Sequence, residues 1–483
     1  MHPQTAKLIS KVNSKLDKAP LIYFSRDVER GIGLENLLKN YYFACVEDSY
    51  LVHEINKKKE RVFSLNKNKI KVSLNSTQEV INNEKTQRWI KKITKGGDFY
   101  AQLFQFNQSA INKIHDLGGQ AINNHTNLNR KFEDKISQFR ILRANNIPVP
   151  NGEVILLNNQ SLKELLSEIN IRINNQKNKP LFVVQLSRAH TGSGTFFIKN
   201  NEEWSLFLEK NRGNEIKISE YIEGESYTIN GCVTQKGIFV AGLQYQITGV
   251  RELTAGEGST VGNDFSYANK LRVSLKREIF EVTKSIGEIM QKDGYRGLFG
   301  LDLVVKNNEI FVIEINARQT ANVSLQTKLE ILQNKIPLSL INIAEWLGIE
   351  LPFETFDEIN HLEGSQLFLR SKEVNFIIAE NVKSGIYRLQ SDNAVRLAKD
   401  EDVILLDEEG DKPLIWQKDG YSVEDIKEGG FILLVQKQWN RRDLHDEIAR
   451  MQFKHQIMLD QHSKGIVSPW AIEAMNAIKE RVM

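Results

Sequence analysis

The chain has 483 residues, 41% of them hydrophobic and 26% charged, which exceeds one ordinary core and predicts roughly two to four domains. Its 64 Lys and Arg nearly balance 61 Asp and Glu, so nothing favours a nucleic-acid or membrane surface, and no apolar run approaches a membrane span. Two cysteines, Cys45 and Cys232, exclude a disulfide framework and make a reducing cytoplasm the expected compartment.

Residues 1–18 mix lysines with polar residues and lack the apolar core of a leader peptide. Residues 20–25 read as a buried strand, the stretch through Leu34, Leu37 and Leu38 as a helix, and residues 42–46 as a second strand. This rhythm predicts a small doubly wound α/β domain. Gly31 and Gly33 lack the rest of a dinucleotide fingerprint and read as turn glycines. The basic run over 57–71, followed by alternating Ile70, Val72 and Leu74, reads as a solvated hairpin or loop. Phe132, Ile136, Phe139 and Arg143 at helical spacing predict a helix over 131–144, ending before Ile147-Pro148-Val149-Pro150. Strands are expected at 154–157, 181–185, 196–198 and 216–220, with helices at 161–169 and 275–291. Beyond residue 360 the chain turns strand-rich (366–369, 375–379, 385–389, 431–436), and a helical tail is predicted from Arg441. The segments are 1–125, 126–355 with two α+β lobes meeting near 225, 356–440, and 441–483.

The most informative stretch is residues 300–318. If 307–309 form a turn, position 305 faces 311, 303 faces 313 and 301 faces 315, which puts Leu301, Leu303, Val305, Phe311, Ile313 and Ile315 on one buried face. The same register sets Asp302 opposite Glu314 on the other face, with Asn316 and Arg318 following at the strand period. Facing like charges are unfavourable unless a divalent cation lies between them, and an Asp, Glu and Asn oxygen set suits Mg²⁺ or Mn²⁺. The plain alternative is an amphipathic hairpin with a solvated polar face.

Asp302, Glu314 and the Glu-x-Asn-x-Arg run ending at Arg318 resemble the metal-binding signature of the ATP-grasp superfamily, whose ligases activate a carboxylate with ATP and pass the acyl group to a nucleophile. The resemblance implies an ATP-grasp fold, two α+β lobes holding ATP and Mg²⁺ or Mn²⁺, behind the doubly wound domain and ahead of the strand-rich region and tail. It implies Asp302, Glu314 and Asn316 as metal ligands. Thr191, Gly192, Ser193 and Gly194 fall where a phosphate-covering loop is expected, although Gly-Ser stretches between strands are often plain turns. Glu220, Tyr221 and Ile222 resemble the adenine hinge, and Lys135 the phosphate-binding helix lysine. The strand lysine is missing, because Gln185 stands at its position; a neutral amide donates to phosphate without charge. Gln185 beside the glycine run is similar to the pheganomycin-type peptide ligases, which place an N-terminal domain before an ATP-grasp module. Arg318, Arg296 and Arg251 are candidates for the transferring phosphoryl group and the substrate carboxylate, with a surface role as the alternative for the last two.

The implied activity is an ADP-forming carboxylate–amine ligase acting through an acyl phosphate on an amino acid or peptide, without nucleic-acid or membrane partners and with a homodimer left open. Carboxylate–thiol ligase, biotin-carboxylase-like enzyme and inactive nucleotide-binding regulator are the competing readings.

Overall fold

The computed structural model describes residues 1–70, 77–159, 161–169, 179–187, 194–256, 258–379, 382–389, 403–404, 414–427, 429–437, 441–461 and 464–482. Near the N-terminus β1 (Leu21–Ser25), β2 (Tyr41–Cys45), β3 (Val62–Ser64), β4 (Phe99–Leu103) and β5 (Gly119–Ala121) form a parallel sheet in the order β3-β2-β1-β4-β5. Both β1 and β2 are buried along their whole length, as parallel strands covered on both faces must be. Strand order reverses between β1 and β4, so the carboxyl ends of these strands open a crevice. Phe104, just past β4, stands there with the Arg30 guanidinium 4.5 Å from its ring centroid.

The helix expected through Leu34, Leu37 and Leu38 is absent. The chain makes a 3₁₀ turn at Val28–Arg30 and then a tight turn in which the Leu37 and Leu38 amides donate to the Leu34 carbonyl. Gly33 explains the interruption: its φ is +127°, and a Cβ there would lie 2.8 Å from Thr327 Cγ2. Leu34 and Leu38 are still buried, as loop anchors. In the basic stretch, Val72 and Leu74 lie outside the described residues.

The predicted helix over 131–144 is two helices, Thr126–Glu133 and Lys135–Ala144, parted by Asp134 in an extended conformation. The Asp134 carboxylate accepts from the Ile136 amide at 3.1 Å and the Ser137 amide at 2.8 Å, an N-cap that makes Lys135 the first helical residue. Next, β6 (Gly152–Leu156), β7 (Phe182–Leu186), β8 (Thr195–Ile198) and β9 (Glu215–Glu220) form an antiparallel sheet, β6-β9-β7-β8, over a core of Phe182, Val184, Trp204, Phe207, Ile216 and Ile218.

The remaining long strands share one twelve-stranded sheet. It contains β10 (Glu225–Thr234), β11 (Gly237–Val240), β12 (Gln244–Thr248), β13 (Thr260–Asp264), β14 (Gly297–Lys306), β15 (Glu309–Asn316) and β16 (Ser365–Arg370). It continues through β18 (Gly385–Leu389), β19 (Val403–Ile404), β20 (Leu414–Lys418), β21 (Gly430–Val435) and β23 (Glu447–Phe453), after the short β17 (Phe376–Ile377) and its partner β22 (Arg441–Arg442). The strand-rich region therefore extends the sheet that carries the acidic hairpin. The tail departs from expectation: β22, β23, β24 (Met458–Gln461) and β25 (Lys464–Val467) fill its first half, and only Pro469–Val482 is helical. Six of the seven β23 residues are buried between β16 and β21, and residues 449–453 alternate between apolar and polar at the strand period, so a strand signal was present where a helix was expected. Among the described residues no helix is long and apolar enough to cross a membrane.

Candidate functional site

β14 and β15 form the expected hairpin with a different turn. Asn307 and Asn308, at φ 50° and 69°, make a two-residue turn of the type that suits strand twist. Lys306 then pairs with Glu309, Val305 with Ile310 and Leu303 with Val312, before the register slips between Asp302 and Leu303. Ile313 is the extra residue of a bulge. The buried residues on β15 are consequently Ile310, Val312 and Ile315 rather than Phe311 and Ile313. A turn one residue shorter and a bulge one residue long cancel, so Asp302 does face Glu314 and Leu301 faces Ile315.

The two acids sit among hydrogen-bonding neighbours. Asn316 Nδ2 donates to Asp302 Oδ2 at 3.2 Å and Gln246 Nε2 lies 3.4 Å from Asp302 Oδ1. Burial and the facing Glu314 push the Asp302 carboxyl up to about 6, against hydrogen bonds from Thr228 and Asn316 and the charge of Lys135. Among the described residues no three His, Cys, Asp or Glu side chains group around a metal position. The set is two carboxylates and the Asn316 amide oxygen, which fits a hard cation completed by water and phosphate oxygens. The folded protein holds the Asp302 proton more tightly than the unfolded chain does. Metal-free stability therefore falls as pH rises from the ordinary aspartate value through about 6, and stays at the lower level above. Asp302→Asn is expected to stabilise the metal-free protein at neutral pH by about 2 kcal/mol, read as a later denaturation midpoint. An earlier midpoint would mean that the carboxylate already has adequate partners.

Basic groups close over this pair. Lys135 Nζ lies 3.0 Å from Glu314 Oε1 with its side chain 6% exposed, and Arg318 Nε lies 3.0 Å from Glu133 Oε1. The N-capped break at Asp134 thus sends one side chain to each end of the Glu-x-Asn-x-Arg run. Gln138 on the same helix accepts from the Ile315 amide and fixes it to β15. The Lys135 amide donates to the Ser187 carbonyl at 3.1 Å and the Ser187 hydroxyl to Asp134 Oδ2, tying the start of the glycine run to that helix.

One basic residue of the site was not singled out in the sequence. On β9, Lys217 faces Gln185 across the β7–β9 ladder, and its ammonium donates to Gln185 Oε1 at 2.8 Å. Each is 3% exposed. The Gln185 amide nitrogen is turned away by a 3.2 Å bond to Thr195 Oγ1, and Lys217 Nζ stands 4.8 Å from the Phe139 ring centroid. Burial and the nearby Lys135 pull the Lys217 ammonium down to about 8, against the attraction of Glu314. The sequence carried no signal for it, since a lysine alternating with Ile216 and Ile218 reads as the polar face of a half-buried strand.

A family model described as the ATP-grasp domain matches residues 132–322. The chain carries an ATP-grasp domain. It is 33% identical over 106 residues to the tyramine–L-glutamate ligase of Methanocaldococcus fervens, 22% of this chain and 31% of that one. With the D-alanine–D-alanine ligase of Petrotoga mobilis it shares 24% over 143 residues, 28% of this chain and 45% of that one. The chain thus spans less than half the length of these curated relatives. The N5-carboxyaminoimidazole synthase structure from Aspergillus clavatus superposes with TM-score 0.55 at 9% identity, over 96% of this chain and 99% of that one. The L-amino acid ligase structure from Bacillus licheniformis gives 0.51 at 13%, over 96% and 97%. At such identities the likeness is one of fold.

Within the ATP-grasp domain the other expected residues fall unevenly. Glu220 ends β9, and its Oε1 accepts from the Asn151 amide at 2.9 Å, so one carboxylate oxygen is committed to the neighbouring loop. Tyr221 and Ile222 follow on the half-buried crossing to β10, with the Tyr221 ring edge-on to Phe197. Gly194 lies at the mouth of the β7–β8 connection, while Thr191, Gly192 and Ser193 lie outside the described residues. Arg318 is placed with the acids: its NH2 donates to Asn316 Oδ1 at 3.0 Å, and its guanidinium approaches the face of Phe104, the ring that Arg30 also covers. Arg296 is not brought to the site. Its Nε and NH2 bind the Glu345 side chain and carbonyl at 2.8 Å each, and it stacks on Trp346. That position precedes β14, and Asp302 is six residues further on, about 20 Å along an extended chain. Arg251 is exposed on the β12–β13 connection, with no carboxylate at ion-pair distance among the described residues.

Proposed function

We propose that the protein is an ATP-dependent carboxylate–amine ligase that joins an amino acid or peptide to an amine, releasing ADP and phosphate. The observation that carries this reading is the convergence of Asp302, Glu314, Asn316, Lys135 and Arg318 at one end of the hairpin. The relatives named as tyramine–L-glutamate and D-alanine–D-alanine ligases support the amino-acid class of substrate.

Asp302, Glu314 and Asn316 would hold Mg²⁺, which when bound neutralises charge on the phosphate oxygens. Lys135 offers an ammonium from a buried stem, and Arg318, oriented by Glu133 and Asn316, offers a guanidinium toward the crevice at Phe104. Such fixed charges favour attack of a substrate carboxylate on the terminal phosphate, and an amine then displaces phosphate from the acyl phosphate. The scheme uses no protein nucleophile. Gln185 in place of a lysine would by itself favour an inactive binding protein; the Lys217 ammonium 2.8 Å from it removes that argument.

Incubation with ATP, Mg²⁺ and pools of amino acids and small acids is expected to give substrate-dependent ADP and phosphate. Formation of AMP and pyrophosphate would sink the assignment.

A further inference from the structure

We propose that Lys217 supplies the second phosphate-binding cation of this site, relocated from β7 to the facing position on β9, and that Gln185 positions it rather than touching the phosphates itself. The inference rests on the ATP-dependent reading above. Gln185 and Lys217 are direct cross-strand neighbours in an antiparallel ladder, so their side chains share one face and about one strand spacing, roughly 4.8 Å, separates their backbones. A lysine stem of four methylenes spans that offset, and a charge moved across the ladder serves the same space.

The surroundings favour a ligand role over a purely structural one. An ammonium has three donors and no acceptor, and Gln185 Oε1 is the single hydrogen-bond acceptor Lys217 has among the described residues. No carboxylate lies at ion-pair distance from it; Lys135 nearby adds repulsion, and Glu314 beyond that distance a lesser attraction. Burying a cation with one neutral acceptor and one aromatic face costs folding free energy unless an anion completes the set. The Phe139 ring faces the ammonium at 4.8 Å, and Thr195 fixes the glutamine with its carbonyl oxygen toward the lysine. What remains of the hydrogen-bonding capacity of Lys217 suits anionic oxygens arriving beside Lys135.

Binding of Mg²⁺ with the non-hydrolysable analogue AMP-PNP to the full chain, followed by calorimetry, tests this without reference to turnover. Lys217→Met keeps the stem and removes the charge; affinity is expected to fall 10- to 100-fold, the range for a charge-assisted hydrogen bond, with an unchanged or higher melting temperature. The exchanged double variant, Gln185→Lys with Lys217→Gln, returns the cation to β7 and is expected to recover affinity to within about threefold of the wild type. A purely structural Gln185 and Lys217 pair would not give that rescue. Wild-type affinity in Lys217→Met, or a double variant no better than Lys217→Met, overturns the proposal while the ATP reading stands. A wild-type chain that binds no nucleotide overturns both. If Lys217→Met melts many degrees lower with affinity unchanged, the lysine is a fold element and the proposal fails.

Discussion

Glu314→Gln is expected to lower ADP formation roughly 10²- to 10³-fold while the chain stays folded. Glu314 is one of two carboxylates facing each other across the hairpin and the only one paired with Lys135, at 3.0 Å. The amide keeps the shape of the side chain but removes the charge that attracts a cation. It also relieves the repulsion that helps hold the Asp302 carboxyl at about 6 but takes the partner from the buried Lys135 ammonium, so the metal-free variant should remain folded with a melting temperature at or somewhat below that of the wild type. Magnesium with nucleotide stabilises the wild type by mass action and should stabilise the variant far less. The measurement is turnover across a magnesium series beside a melting curve with and without Mg²⁺ and nucleotide. Near-normal turnover at saturating magnesium would return the two acids to the status of a polar strand face.

The second large effect is expected at Lys135. Its ammonium sits at the first turn of the helix Lys135–Ala144 on a 6% exposed side chain, aimed at Glu314. Lys135→Ala should weaken nucleotide binding about 10²-fold, the upper part of the range for a hydrogen bond between charged groups. Gln185→Ala should weaken it less, because it leaves the Lys217 charge in place and removes only its acceptor. Calorimetry at fixed Mg²⁺ separates the two, and an alanine at 135 that leaves affinity within twofold would move the phosphates away from this helix.

The hairpin was legible because its information is local. A strand has period two, and the spacing from Asp302 to Glu314 survives when a shorter turn is balanced by the Ile313 bulge. The individual partners of Leu303 and Val305 were not legible, since nothing in the sequence shows where a bulge falls. Lys135 could be read from a helix motif, but the break at Asp134 that aims it follows from a capping bond rather than from the apolar spacing. Lys217 was invisible for another reason: its meaning depends on facing Gln185, 32 residues away, and that adjacency exists only once β9 lies between β6 and β7. Arg296 misled because it closely precedes the hairpin, yet the strand carries its neighbours toward the site and leaves it behind, clamped to Glu345. The tail was misread against a legible signal, since residues 449–453 alternate between apolar and polar at the strand period.

The two sheets that carry the site residues are unequally connected to the rest of the chain. β14, β15 and the later strands β16, β23 and β21 belong to one hydrogen-bonded sheet, so an unbroken series of ladders connects the acids to strands far along the chain. The four-stranded sheet that carries Gln185 and Lys217 shares no strand with it. The chain passes between them at residues 145–151 and 221–224, with the helix Lys135–Ala144 pinned to both sides through Gln138 and through the Lys135 amide. That helix is the common reference of both cations: Lys135 opens it, and Lys217 Nζ stands 4.8 Å from the ring centroid of its Phe139. A cation on the helix and a cation on the small sheet are thus both referenced to one element rather than to the contact of one sheet with the other.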